Sequence, residues 1–178
     1  VNNAGAAWGE PLEDFTEAGW DRTMDLNLKT PFFLTQKLLP LLKAAASKDR
    51  PAKGLMISSI DGMKSNPWPT YPYQASKAGL IHLTRRMAAE LVGHHIVVNG
   101  IGPGAYPSAM NRAARDNAEL VEKGIPARRV GVTEDMAAGA IYLLSRAGDY
   151  VVGTTIPIDG GVVNANIGAG NFVDPSGD

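Results

Sequence analysis

The sequence predicts an α/β fold built on a doubly wound parallel sheet, and three observations carry that prediction. Strand-length apolar runs alternate with longer segments of helical period. The runs do not alternate polar with apolar residues, so both faces of each strand are covered. Strands joined in this order need right-handed crossovers, which put helices on both faces of the sheet.

From about residue 20 to 42, apolar residues recur at Met24, Leu28, Phe33, Leu34, Leu38, Leu41 and Leu42, a spacing that makes one buried helix face. Pro31 interrupts the pattern and predicts a bend or a loosened turn. The first apolar run is residues 54–59. A second helix is read over 73–92, with Leu80, Leu83, Met87 and Leu91 on one side, and the next strand over 95–101. A third helix is expected over about 108–123. A fourth is expected from Thr133, read as its N-cap with Glu134 and Asp135 in the first turn, to about Ser145. The run 154–158 closes the sheet. Ligands in such sheets bind at the carboxyl ends of strands, so chemistry is expected just after Ser59 and just after Ile101.

Composition narrows the classes. The chain has 178 residues, 44% hydrophobic and 20% charged, which is ordinary for one globular domain. Seventeen basic residues against eighteen acidic ones leave a net charge of −1, which argues against nucleic acid or a membrane surface as partner. There is no cysteine, so disulfides, thiolate metal sites and thiol nucleophiles are excluded. A reducing, cytoplasmic location is expected. His94 and His95 lack a third ligand at suitable spacing, so no metal site is read there. Arg85-Arg86 and Arg128-Arg129 read as surface charges.

One constellation carries chemistry. Tyr73 and Lys77 stand four apart at the start of the second helix, on one face. An ammonium beside a phenol favours the phenolate and lowers its pKa toward working pH. Such a tyrosine exchanges a proton with a carbonyl or carbinol oxygen, and a nearby serine hydroxyl can hydrogen-bond the same oxygen. Ser59, at the end of the first run, is the serine in question, with Ser58 read as structural. Tyr71 is a poorer candidate, because its four-residue partner is the uncharged Ala75.

Six motifs in order resemble the short-chain dehydrogenase/reductase family of the compact, single-domain type. They are Asn2-Asn3-Ala4-Gly5, Asn27 within Asp25-Leu26-Asn27-Leu28, Ser59, Tyr73 with Lys77, the stretch Asn99 to Gly104, and Ile158-Asp159-Gly160-Gly161. The resemblance runs to about Val163 and implies the C-terminal part of a Rossmann-type sheet. It implies hydride transfer between NAD or NADP and a small-molecule carbonyl or alcohol. Carried over, Tyr73 is the general acid/base, and Lys77 lowers its pKa and holds the nicotinamide ribose. Ser59 holds the substrate oxygen. Asn27 positions a water in a proton relay, or else only satisfies backbone at a helix irregularity. Asn3, Ala4 and Gly5 line the adenosine and ribose side. Pro103 and Gly104 approach the nicotinamide, and Tyr106 and Ser108 face the carboxamide.

The resemblance leans toward the 3-oxoacyl-thioester reductase branch, with residues 103–110 and the helix after them as a substrate lid. The loop 60–72 reads as one residue longer than in many members. The family's Gly-rich phosphate loop has no counterpart here. The run 168–173 imitates it without a following helix and is read as a decoy. Residues 1–163 are therefore expected to be the catalytic half of the domain, without its first strands, and 164–178 a tail. A homodimer or homotetramer is implied, with the helices at 20–42 and 73–92 as the pairing elements. The alternative is a non-catalytic relative that serves oligomer assembly. A nucleotide-binding methyltransferase accounts for the sheet but not for Ser59, Tyr73 and Lys77.

Overall fold

Three parallel strands form the sheet in the order β1–β2–β3: β1 (Ala52–Ile57), β2 (Ile96–Pro103) and β3 (Thr155–Ile158). The structure is a computed structural model and describes residues 1–166. The decoy run 168–173 and most of the expected tail lie outside the described residues. Ala52 to Ile57 pair with Ile96 to Ile101, and Gly100 to Pro103 with Thr155 to Ile158. On the other side of β1, Asn2 makes a parallel bridge: its N–H donates to Leu55 O at 2.8 Å, and the Ile57 N–H donates to Asn2 O at 3.0 Å. β2 is thus covered on both faces and both edges, as its mostly apolar, non-alternating run predicts.

Successive residues of a strand face opposite ways, and this builds two cores. Met56, Ile96 and Val98 pack with Leu80, Met87, Ala88 and Leu91 of α3 (Tyr71–Leu91), flanked by Leu39 and Leu42 of α2 (Thr30–Ala45). On the opposite face Leu55 and Ile101 pack with Leu143 of α6 (Thr133–Leu144), flanked by Met136 and Ala140. The α/β class, the parallel sheet and the helices on both faces agree with the sequence reading.

Local departures have identifiable causes. The first helical region begins earlier, as α1 (Glu17–Met24), and continues into α2 through a π-helical turn over Asp25–Lys29. Pro31 has no N–H, so the carbonyl of Asn27, four residues back, loses its α-helical donor. The chain widens there instead, and Thr30 donates to Asp25 O from both its N–H and its Oγ1, the latter at 2.8 Å. The helix expected over 108–123 is two short ones, α4 (Arg112–Asp116) and α5 (Ala118–Glu122), separated at Asn117, whose φ of −141° and ψ of 50° are not helical. Thr133 is not the N-cap of α6. Val132 occupies that position, and the Asp135 carboxylate reaches back to accept its N–H at 2.9 Å. No helix among the described residues is long and apolar enough to cross a membrane.

Leu55 is fully buried on the α6 face. Leu55→Ala should cost about 2–5 kcal/mol through lost burial and a residual cavity. A urea midpoint unchanged from wild type would show that the α6 face is not a packed core.

Candidate active site

Lys77 organises the carboxyl end of β1. It lies in the second turn of α3 and is only 4% exposed. Its Nζ donates to Ile57 O at 2.8 Å, and its own carbonyl accepts from Ser58 Oγ at 2.8 Å. Ser58 is thereby structural, as read from the sequence. The chain then makes a tight turn over Ile60–Gly62 and packs directly on α3. A Cβ at Gly62 would stand 2.5 Å from the Lys77 carbonyl carbon, so only glycine permits this approach. The turn holds Ser59 beside Tyr73, while Ser59 Oγ accepts the Asp61 N–H at 3.1 Å.

Burial dominates the electrostatics. It holds the Lys77 ammonium down at about 8. It also pushes the Tyr73 phenol above its usual range, an effect that the Ser59 hydroxyl opposes and the Asp61 carboxylate reinforces. The sequence reading had the ammonium pull the phenol down. Here Nζ lies over the ring, 5.6 Å from its centroid, and is bonded to Ile57 O, so desolvation of the phenol prevails.

Asn27 sits fully buried in the π-helical turn and joins three segments. Its Oδ1 accepts the Ala6 N–H at 2.8 Å, and its Nδ2 donates to Ala6 O at 2.9 Å and to Ser76 Oγ at 3.0 Å. This pins the amino-terminal segment to α3. Asn3 and Ala4 are exposed next to that segment. A Cβ on Gly5 would lie 3.4 Å from Asn27 Oδ1 and 3.5 Å from Lys77 Nζ, so Gly5 borders the ammonium directly.

The second loop arrives through the sheet. Ser58 N–H donates to Ile101 O at 2.7 Å, and a Cβ on Gly102 would come within 3.5 Å of Ser59. Pro103 and Gly104 follow at once, with Gly104 N–H donating to Ile158 O at 3.0 Å. Tyr106 turns its ring against Gly131 and donates its phenol to Ile158 O at 3.3 Å, and burial pushes that phenol up to about 12. Ser108 is exposed, and its Oγ accepts the Asn111 N–H at 3.0 Å. So Asn27, Ser59, Tyr73, Lys77 and Gly5 form one cluster, with Pro103 and Gly104 adjoining through Gly102. The side chains of Tyr106 and Ser108 are engaged in the loop that follows. Asn99, quoted only as a motif boundary, proves to hold the segment before β3: Nδ2 donates to Val151 O at 2.6 Å and Oδ1 accepts the Thr154 N–H at 3.1 Å. Asp61 was not singled out from the sequence; no spacing rule marks it.

A parallel α/β sheet with a serine, a tyrosine and a lysine gathered at its strand ends defines the short-chain dehydrogenase/reductase class, and the chain belongs to that family. Within it, the model described as enoyl-(acyl carrier protein) reductase matches residues 1–163. The chain is 45% identical over 164 residues to the rhamnolipids-biosynthesis 3-oxoacyl-(acyl-carrier-protein) reductase of Pseudomonas aeruginosa, covering 90% of this chain and 64% of that protein. It is 37% identical over 167 residues to a 2-dehydro-3-deoxy-D-gluconate 5-dehydrogenase of Dickeya dadantii, covering 90% and 63%. A solved NADP active-site complex of RhlG from Pseudomonas aeruginosa superposes with a TM-score of 0.87 at 44% identity, covering 91% of this chain and 64% of that one. The chain thus spans just under two thirds of the length of these relatives.

The buried ammonium makes a signed prediction. Below about pH 8 the folded protein bears the full cost of a charged, desolvated Lys77. Between about 8 and the ordinary value of 10.5, the folded state has shed a proton that the unfolded chain retains, so the cost fades as pH rises. Lys77→Met should therefore be most favourable relative to wild type near pH 7 and lose that advantage toward pH 10. Urea unfolding of both proteins across this range reads it, and a difference independent of pH would exclude a buried ammonium.

Proposed function

We propose that the protein is an oxidoreductase that interconverts a carbonyl and an alcohol, with Tyr73 as general acid/base. The observation that carries this reading is the convergence of Ser59, Tyr73 and a 4%-exposed Lys77 on one strand end. When bound, a nicotinamide dinucleotide, NADP or NAD, supplies a hydride to the carbonyl carbon or accepts one from the carbinol. NADP has the better support, since the similar RhlG structure is an NADP complex. The donor set suits the ribose of such a group. Lys77 and Tyr73 offer donors to its hydroxyls, and Gly5 leaves the approach to Nζ free of a side chain. Pro103, Gly104, the backbone of Tyr106 and Ser108 are assigned to the nicotinamide side, and Asn3 and Ala4 to the adenosine side.

Ser59 Oγ donates to the substrate oxygen and fixes it next to the Tyr73 hydroxyl. As the C=O bond becomes C–O–H, the phenol gives its proton to that oxygen; in the reverse direction the phenolate takes it back. Lys77 stabilises the phenolate left behind. Asn27, whose side chain is fully used by Ala6 and Ser76, acts through the freed backbone carbonyl of its π-helical turn, where a water can link Lys77 to solvent.

The substrate class proposed first is a 3-oxoacyl thioester, supported by the name of the Pseudomonas aeruginosa relative. We further assign residues 1–163 as the catalytic half of the domain. The protein is read as a cytoplasmic homodimer or homotetramer. Phe33, Leu34, Leu38 and Leu41 of α2, expected from their spacing on a buried face, are instead 41–68% exposed in the single chain, a stripe that pairing of copies would cover.

Tyr73→Phe should lower turnover by about 10²–10⁴-fold, the usual worth of a positioned acid/base group, and weaken cofactor affinity far less, by the loss of one ribose hydrogen bond. Steady-state rates and NADPH titration monitored by intrinsic fluorescence separate the two quantities. Unchanged turnover excludes Tyr73 as the proton donor.

A further inference from the structure

The Ile60–Gly62 turn places a carboxylate where the proposed chemistry does not call for one. Asp61 is partly buried, its backbone N–H is bound to Ser59 Oγ, and the next residue, Gly62, is pressed on the α3 backbone at Lys77. The residue is therefore held in the turn beside Ser59, close enough that its charge is felt at Tyr73. It enters none of the five ion pairs among the described residues. The cation nearest the site, Lys77, is buried on Ile57 O, and Lys64, three residues on, is exposed and also outside those pairs. Only the Asn66 amide eases the charge, and Asn66 is tied to α3 through Gln74, whose Nε2 donates to Asn66 Oδ1 at 3.2 Å. Burial pushes the Asp61 carboxyl upward, and its charge in turn favours the protonated form of Tyr73.

An uncompensated, partly desolvated carboxylate is costly, and its field is felt by whatever binds beside it. We propose that Asp61 is a specificity-determining residue: its carboxylate selects uncharged carbonyl substrates, such as 3-oxo esters and thioesters, over those bearing a carboxylate close to the reacting carbon. This rests on the carbonyl–alcohol reading above and deepens it. The same charge keeps the Tyr73 phenol in its protonated form.

The test compares wild type, Asp61→Asn and Asp61→Glu in the full protein with NADPH, using an acetoacetyl thioester and free acetoacetate. The Asn variant should narrow the thioester-to-acid ratio of kcat/KM by about tenfold or more, the effect of about 1.4 kcal/mol. The Glu variant should restore it. A ratio unchanged in Asp61→Asn overturns the proposal. A second measurement needs no turnover. Tyrosinate absorbance is titrated in each variant, with the Tyr73 component identified by its loss in Tyr73→Phe. The Asn variant should titrate that phenol at lower pH than wild type, and an unmoved titration also overturns the proposal. A wild type that reduces neither compound refutes the enzymatic reading, while the phenol titration still decides whether Asp61 charges the site.

Discussion

The docking of one amine on one carbonyl orders this molecule's chemistry. Lys77 Nζ donates to Ile57 O, the last carbonyl of β1, while Ser58 donates back to the Lys77 carbonyl. The two bonds run in opposite directions across the same junction and lock α3 to the strand end in register. Gly62 closes the arrangement by contact with the Lys77–Ala78 peptide. Once that junction is set, Tyr73, one turn earlier on α3, can face only the segment leaving β1, and Ser59 is the residue that segment presents. The meeting of hydroxyl and phenol follows from backbone docking rather than from any attraction between the two.

The junction is poor as a device for stability. An ammonium and a phenol are taken out of water, and burial makes each harder to charge than it is in solvent. A partly buried carboxylate stands nearby, outside the ion pairs of the described residues. A hydrophobic replacement for Lys77 would pack as well and bear no desolvation cost. Titratable groups crowded at a strand end against their own stability are the physical mark of a functional site.

Much of this was legible in the sequence because periodicity and spacing report it. The three strands fall within two residues of the apolar runs, and the four-residue step from Tyr73 to Lys77 does mean one helix face. What was not legible is set by tertiary contact. Pro31 signalled an irregularity, but only the structure shows a π-helical turn with Asn27 buried inside it and bonded to Ala6 and Ser76. The helix expected over 108–123 broke at Asn117, because a sequence pattern does not register a single residue outside helical φ/ψ. Nor does spacing reveal that Lys77 Nζ is bonded to a strand-end carbonyl while burial keeps the phenol protonated. Asp61 carried no signal at all, since its importance comes from a turn that glycine packing folds onto α3.

Sheet order explains why two loops more than forty residues apart in sequence serve one site. Because β1 and β2 are parallel neighbours, their carboxyl ends emerge side by side, and Ser58 N–H bonds Ile101 O across the gap. Gly102 then sits against Ser59, so the backbone at Pro103 and Gly104 is delivered beside the serine without any side chain reaching for it. Asn27 does the same for a third segment by bonding both backbone groups of Ala6, which leaves Gly5 bordering Lys77. Two chain segments are thus brought to one amine by main-chain pairing and a third by a single buried amide side chain. Main-chain pairing tolerates changes in the surrounding side chains, so a neighbouring group such as Asp61 is free to differ and set what the site accepts, while the proton-transfer geometry stays in place.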